Sequence, residues 1–151
     1  MRSAGLLLYR LRDGTPQVLL GHMGGPFWAR KDERAWSIPK GEHGDEEDAL
    51  AAARREFAEE TGTPPPDGEP LPLGEVRQTG GKRVTAWALE GDLDPAAIAS
   101  NTFTLEWPPR SGRTQEFPEI DRAAWFDLPT ARAKIVKGQV PLLDALERAL
   151  A

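Results

Sequence analysis

The sequence predicts a mixed-sheet domain of the α/β or α+β class, and three observations lead to that prediction. Short apolar runs typical of strands outnumber the helical patterns, and the two kinds do not alternate regularly along the chain. The 151 residues are enough to close a hydrophobic core, so we expect one domain over residues 1–151. No internal repeat or low-complexity segment is present.

The beginning of the chain predicts a β-hairpin followed by a loop. Apolar runs at 4–11 and 16–23 are separated by the sequence RDGT, whose Asp-Gly pair is a strong turn signal. Residues 24–35 are rich in glycine, proline and charge, which indicates a loop. The run 35–39 then predicts one short buried strand that ends at a proline.

One long helix is predicted from about Asp45 or Glu46 to Thr61. Asp45 is a favourable N-cap with acidic residues after it, and Gly62 with the prolines that follow ends the helix. At about 100° per residue, one stripe of this helix should face the core. Its members are Leu50, Ala53 and Phe57.

The second half of the chain predicts further strands and two short helices. The strand-like runs are 73–78, 83–91, 101–109 and 122–128. We expect residues 110–119 to form a loop. Residues 129–151 predict two short helices, with breaks near Gly138 and Pro141.

Composition and charge argue against several functions. A formal net charge of -5 disfavours a nucleic-acid binder with a dominant basic surface. The absence of cysteine excludes disulfides, thiolate metal sites and cysteine nucleophiles. No stretch approaches the roughly 20 apolar residues of a membrane helix, and the first leucine run is too short for a signal peptide. We therefore expect a cytoplasmic protein without nucleic-acid or membrane partners.

The most unusual segment is 41–63, which holds eight acidic side chains in twenty-three residues. On the predicted helix, Glu56, Glu59 and Glu60 fall within a sector of about 100° beside the core stripe. Like charges at these spacings destabilise a helix by a few tenths of a kcal/mol per pair, and a divalent cation would remove that repulsion. Oxygen ligands favour Mg²⁺ or Mn²⁺ over zinc, and Mg²⁺ commonly binds substrate phosphates. The alternative interpretation is a solvated acidic face.

The spacing of this segment resembles the Nudix box, the signature of the Nudix hydrolase superfamily. The seven matching positions are Gly41, Glu47, Arg55, Glu56, Glu59, Glu60 and Gly62. At about 7% usage for each specified residue, a chance match has odds on the order of 10⁻⁸ per starting position. Thr63 stands where the family usually carries an aliphatic residue, and we expect only a minor packing change. The resemblance implies a Nudix-type α/β/α sandwich around a mixed β-sheet.

The resemblance also implies a divalent-metal-dependent hydrolase of diphosphate linkages in nucleoside diphosphate derivatives. It implies that Glu56, Glu59 and Glu60 hold Mg²⁺ or Mn²⁺, with the backbone carbonyl of Lys40 as a further ligand. One of these glutamates, or Glu119 in a later segment, would activate the attacking water.

Arg55 is expected to point away from the carboxylates and to brace Glu56 or the loop before the helix, and Glu47 is expected to fix that loop. A surface arginine is the alternative interpretation for Arg55.

Substrate contacts are predicted outside the box. The sequence PKG around Lys40 resembles the branches that act on dinucleoside polyphosphates and diphosphoinositol polyphosphates, so Lys40 would hold a distal phosphate. Arg110 is a second phosphate-binding candidate. Phe27 and Trp28 either stack on a base or anchor their loop to the core.

The resemblance of the PKG sequence favours a dinucleoside polyphosphate as the small-molecule substrate, and we expect a monomer or homodimer. The alternatives are a nucleoside triphosphate, ADP-ribose or nucleotide-sugar pyrophosphatase. A Nudix module that senses a nucleotide without cleaving it is a further alternative.

Overall fold

The computed structural model describes residues 2–78 and 80–151 as a mixed β-sheet with helices on both faces, which confirms the predicted α/β class. The strands are β1 (Arg2–Arg12), β2 (Thr15–Met23), β3 (Trp36–Ser37), β4 (Lys40–Glu42), β5 (Leu71–Arg77), β6 (Arg83–Glu90), β7 (Thr102–Glu106), β8 (Thr114–Pro118) and β9 (Ile120–Asp127). The helices are α1 (Ala49–Thr61), α2 (Leu128–Lys134) and α3 (Val140–Leu150), with 3₁₀ turns at Pro95–Ala97 and Lys137–Gln139.

Strand β1 lies in the middle of the main sheet. The strand order is β3-β2-β1-β6-β5, in which β1 and β6 are parallel and the other pairs are antiparallel. Because β6 occupies one edge of β1, the strands β2 and β4 share the other edge. Strand β2 pairs with residues 9–12 of β1, and β4 pairs with residues 3–5. The neighbour of β1 therefore changes part-way along the strand.

Two apolar clusters hold the layers together. Helices α2 and α3 cover one face of the sheet, and the buried residues that they contribute are Leu128, Ala131, Leu142, Leu143 and Leu146. Helix α1 covers the other face with Ala52, Ala53 and Phe57, and Leu50 is partly buried against the same cluster. The predicted core stripe of α1 is thus confirmed. Among the described residues, no helix is long and apolar enough to cross a bilayer.

The predicted start of α1 is wrong. The N-cap is Asp48, whose side chain accepts a hydrogen bond from the Ala51 backbone N–H at 3.1 Å. Asp45 lies in the preceding turn, 3.6 Å from the Arg2 guanidinium. Asp45 and Asp48 both satisfy the capping preference, and only the backbone of Asp48 is placed to cap. The predicted end at Gly62 is confirmed, since this residue adopts the left-handed conformation with φ 74°.

Three further predictions along the chain need correction. Residues 110–119 are not a loop throughout, because Thr114–Pro118 pairs with Thr102–Glu106 in a separate two-stranded sheet. The cross-strand partner decides this conformation, and the polar sequence of the segment hides it. The strand predicted over 35–39 is reduced to Trp36–Ser37, and a second short strand, β4, begins after Pro39. Pro141 lies in the first turn of α3, where proline is tolerated, and does not break that helix.

Candidate active site

A cleft of about 430 Å³ opens where α1, β4 and the base of the β7–β8 hairpin meet. Charged and polar side chains dominate its walls. The lining residues are Ser3, Lys40, Gly41, Glu42, Glu56, Glu59, Glu60, Lys82, Asn101 and Glu119. The cleft therefore collects the three α1 glutamates, Lys40 and Glu119, which the sequence analysis selected as site residues.

Glu60 is a buried carboxyl group in this cleft. Only 9% of the residue is exposed, and its Oε1 accepts a hydrogen bond from the Lys40 backbone N–H at 3.2 Å. Burial raises the pKa of Glu60 to about 8, and the negative charges of Glu119 and Glu56 act in the same direction. The hydrogen bond from Lys40 and its ammonium charge oppose this shift.

Glu56 is buried one turn earlier on α1, with 8% of the residue exposed. Burial raises its pKa, and the charge of Glu59 raises it further. Strand β4 approaches this side chain so closely that a Cβ at Gly41 would lie 2.0 Å from Glu56 Cδ. A side chain at position 41 would therefore displace the Glu56 carboxylate from its present position.

Arg55 joins the carboxylates to the turn before α1. Its Nε and Nη2 donate to the two carboxylate oxygens of Glu47, each at 2.9 Å. Its Nη1 donates to Glu56 Oε2 at 2.9 Å and to Glu59 Oε1 at 3.1 Å. The bond from Arg55 lowers the pKa of Glu47, and the bond to Glu47 raises that of Arg55. The prediction that Arg55 points away from the carboxylates is therefore wrong. Its contacts with Glu47 and Glu56 are those expected of a residue that holds Glu56 and the loop before the helix in place.

Lys40 and Glu119 face the glutamates from the other elements of the cleft. Burial lowers the pKa of Lys40, and the nearby charge of Glu60 opposes that effect. The backbone of Glu119 is held at both of its polar groups. Its N–H donates to the Asn101 carbonyl at 2.9 Å, and its carbonyl accepts from the Gly24 N–H at 3.0 Å. Glu119 therefore has a fixed place beside Glu60.

Three predicted substrate contacts lie outside the lining of this cleft. Arg110 is exposed at the turn of the β7–β8 hairpin. Phe27 is 58% exposed and meets Trp107 edge to face, with the ring centroids 5.5 Å apart. Trp28 packs against the core cluster below its loop. Their roles in substrate binding stay predictions.

Lining residues that the sequence analysis did not select are Ser3, Glu42, Lys82 and Asn101. Lys82 follows the turn between β5 and β6, and Asn101 lies opposite Glu119 at the base of a hairpin. Strand pairing brings both into the cleft, so no local pattern marks them. Asn101 could have been selected only if the pairing of β7 with β8 had been predicted.

The donor set of the cleft fits a hard divalent cation. Its buried oxygens come from carboxylates, which Mg²⁺ and Mn²⁺ prefer, and the pKa values of Glu56 and Glu60 are raised by burial first and by the neighbouring carboxylates second. Within residues 2–78 and 80–151, no three acidic or histidine side chains are already grouped as metal ligands. Glu56 and Glu59 instead share Arg55 Nη1. Metal ligation by Glu56, Glu59 and Glu60 therefore stays a prediction.

Fold and cleft together define an α/β protein with a carboxylate-lined site on a helix that follows a glycine-containing strand. The chain matches the NUDIX domain over residues 1–146 and belongs to that family. Members of the family are typically pyrophosphohydrolases and typically use divalent metals.

Several solved structures share this fold. A C. elegans Ap4A hydrolase in a binary complex has a TM-score of 0.67 and 22% identity, with 98% of this chain and 97% of that chain covered. The NUDIX domain of Shewanella oneidensis NrtR complexed with ADP ribose has a TM-score of 0.64 and 16% identity, with 100% and 88% covered. A mutT/nudix family protein from Listeria innocua has a TM-score of 0.62 and 19% identity, with 99% and 92% covered. No curated protein matches this chain in sequence.

Proposed function

We propose that this chain is a single-domain, divalent-cation-dependent pyrophosphohydrolase that cleaves a diphosphate linkage in a nucleoside diphosphate derivative. The observation that carries the proposal is the pair of buried carboxyl groups, Glu56 and Glu60, in a cleft shared with Lys40 and Glu119. A solvated acidic face would leave both side chains in water. Their burial is costly unless a cation or a proton compensates the charge.

The proposed ligands are Glu56, Glu59 and Glu60, with the backbone carbonyl of Lys40. Bound Mg²⁺ or Mn²⁺ would neutralise the diphosphate, stabilise the leaving oxygen and lower the pKa of bound water. Glu119 would orient the attacking water and accept its proton, since its backbone is fixed beside Glu60.

Arg55 and Lys40 have different proposed tasks. Arg55 holds the carboxylates of Glu56 and Glu59 in place through Nη1, while its bidentate contact with Glu47 fixes the guanidinium. The ammonium group of Lys40 lines the cleft and would bind oxygens of the substrate diphosphate. Because burial disfavours its charge, an anionic partner would strengthen the charged form.

Dinucleoside polyphosphates are the favoured substrates within this proposal. Lys40 in the PKG sequence supports that choice, as does the fold shared with an Ap4A hydrolase. Nucleoside triphosphates, ADP-ribose and nucleotide sugars are the alternatives. The NrtR domain complexed with ADP ribose gives a specific reason to test ADP-ribose and nucleotide sensing.

The first test is turnover of a substrate panel with Mg²⁺ or Mn²⁺, in the wild type and in Glu60→Gln. The panel contains diadenosine tetraphosphate, nucleoside triphosphates, ADP-ribose, nucleotide sugars and a diphosphoinositol phosphate. We expect Glu60→Gln to lower kcat by about 10²–10⁴-fold, because it removes a charged ligand while it keeps the shape of the side chain. Near-normal turnover in this variant would contradict the ligand assignment.

The matched control is Glu116→Gln, since Glu116 is exposed on β8 and does not line the cleft. This variant should keep wild-type turnover, and circular dichroism should show that both variants are folded. Nucleotide binding without turnover across the whole panel would overturn the hydrolase and favour the sensing module.

A further inference from the structure

His22 on β2 is a buried histidine that joins two segments of the chain beside the cleft. The residue has no exposed surface. Its Nδ1 lies 2.8 Å from Asp121 Oδ1 on β9, and its Nε2 lies 2.6 Å from the Lys31 carbonyl oxygen in the loop 24–35. The proposed hydrolysis does not use this side chain directly. A buried polar side chain with two such partners fixes the segments that carry them.

Both contacts of His22 require a proton. A carbonyl oxygen only accepts hydrogen bonds, so Nε2 must donate to Lys31. A carboxylate oxygen also only accepts, so a second proton must lie between Nδ1 and Asp121. This contact is therefore a charge-assisted hydrogen bond between an imidazolium and a carboxylate, which is stronger than a neutral one. The guanidinium of Arg122 lies farther from the same carboxylate oxygen, at 3.7 Å.

Asp121 is the extra residue of a β-bulge between β2 and β9. The register of the two strands moves by one residue between His22 and Met23, and Asp121 has no partner among the described residues of β2. An extra residue shifts the alternation of side chains along a strand, and bulges beside active sites commonly redirect a side chain. The bulge therefore determines the direction in which the chain before Asp121, including Glu119, leaves the sheet.

The bulge adjoins the candidate active site. Glu119 and Ile120, the two residues before it, line a small cavity of about 80 Å³. Lys40 and Glu60 line the same cavity and also the carboxylate cleft. Any movement of the bulge would therefore move Glu119 relative to Lys40 and Glu60.

We propose that His22 and Asp121 are positioning residues for Glu119. Their hydrogen bond holds the bulge, and the bulge places the Glu119 carboxylate where it orients the attacking water. The bond from the Gly24 N–H to the Glu119 carbonyl lies two residues farther along both segments, so the side-chain bond secures the same junction. This inference rests on the proposed function, in which Glu119 accepts the proton of the water, and it deepens that function.

The first experiment measures amide hydrogen exchange at Gly24 and Glu119 by NMR, without metal or substrate, so that it does not depend on turnover. Asp121→Ala removes the bond to His22, and we expect exchange at both amides to become about ten- to a hundredfold faster. Asp121→Asn should exchange as the wild type does, because its amide can donate to an unprotonated Nδ1. Unchanged protection in Asp121→Ala, or an equal loss throughout the chain, would overturn the proposal.

The matched control is Asp92→Ala. Asp92 forms an ion pair with Arg10 at 2.8 Å and lies outside the lining of the cleft. The variant removes an ion-paired aspartate away from the bulge, so exchange at Gly24 and Glu119 and turnover should both stay unchanged. Equally fast exchange at these amides in the control and in Asp121→Ala would indicate general destabilisation and would overturn the proposal.

Kinetics test whether the pair acts through Glu119. In Asp121→Ala, kcat for the preferred substrate of the panel should fall about ten- to a hundredfold with KM unchanged, because Lys40 and the α1 glutamates are not altered. Asp121→Asn should recover most of this loss. In a Glu119→Gln background, Asp121→Ala should cause no further loss, since the group through which it acts is already removed. Equal losses with and without the Glu119 carboxylate would overturn the proposal.

The two measurements separate this inference from the proposed function. Silence of the wild type across the substrate panel, with exchange at Glu119 still accelerated in Asp121→Ala, would refute the hydrolase and support the positioning of Glu119 by His22. Full turnover and unchanged exchange in Asp121→Ala would support the hydrolase and overturn the positioning role.

Discussion

The buried carboxyl group of Glu60 predicts a specific dependence of stability on pH in the absence of divalent ions. Burial raises the pKa of this group from its ordinary value of 4.5 to about 8 in the folded chain. The folded state binds the proton of Glu60 more tightly than the unfolded state does, so protonation stabilises the folded state. This stabilisation is complete below about pH 4.5. It is lost progressively as the pH rises through about 8.

The size of this effect follows from the two pKa values. The interval from 4.5 to about 8, at about 1.4 kcal/mol for each pH unit, corresponds to about 5 kcal/mol. That is comparable with the whole free energy of unfolding of many domains, so it should be measurable. Lys40 acts in the opposite direction, because its pKa is lowered by burial. The contribution of Glu60 must therefore be taken as a difference between variants.

The assay is urea unfolding of wild type, Glu60→Gln and Glu116→Gln in chelator, at about pH 5 and about pH 9. From the lower to the higher pH, the free energy of unfolding of the wild type and of Glu116→Gln should fall by several kcal/mol more than that of Glu60→Gln, because glutamine does not titrate. Adding Mg²⁺ at the higher pH should stabilise the wild type more than Glu60→Gln. Parallel pH dependence in all three proteins would refute the assignment of a buried, protonated Glu60.

Further substitutions test the contact at Gly41 and the cap of α1. Gly41→Ala places a methyl group 2.0 Å from Glu56 Cδ, so the carboxylate must shift, which disturbs its hydrogen bond with Arg55. We expect turnover to fall at least about tenfold, with about 1–3 kcal/mol lost in urea unfolding. Full activity in this variant would contradict the close approach. Asp48→Ala removes the N-cap and should cost about 1 kcal/mol, whereas Asp45→Ala should change the stability by a few tenths of a kcal/mol. Equal losses measured by urea unfolding would refute the capping assignment.

Local periodicity explains which parts of the site the sequence could predict. The spacing of Glu56 and Glu60 on a helix is a property of consecutive residues, so it follows from the sequence. Their burial depends on β4, and the close approach of Gly41 to Glu56 is a contact between two elements. The pattern did suggest that these carboxylates lie beside the core. It did not reveal how deeply the neighbouring strand covers them.

Non-local pairing explains most of what the sequence analysis missed. Lys82 and Asn101 reach the cleft only through the β5–β6 and β7–β8 pairings. The start of α1 is ambiguous in the sequence for another reason, because Asp45 and Asp48 can both cap a helix and only the backbone conformation selects Asp48. The mixed sheet itself was predictable, since apolar strand patterns and a capped helix are local features.

The hydrogen bonds at Glu119 have a consequence for how the molecule can diversify. Gly24 binds its carbonyl and Asn101 binds its N–H, so the loop 24–35 and the hairpin 102–118 both start from this one residue. A Cβ at Gly24 would lie 1.9 Å from the Pro118 carbonyl oxygen. The backbones of the two segments are therefore in close contact at this point. Residues 29–34 of the loop and 108–116 of the hairpin are exposed. The tips of both segments can therefore change in length and sequence during evolution while their shared root beside the carboxylates remains in place.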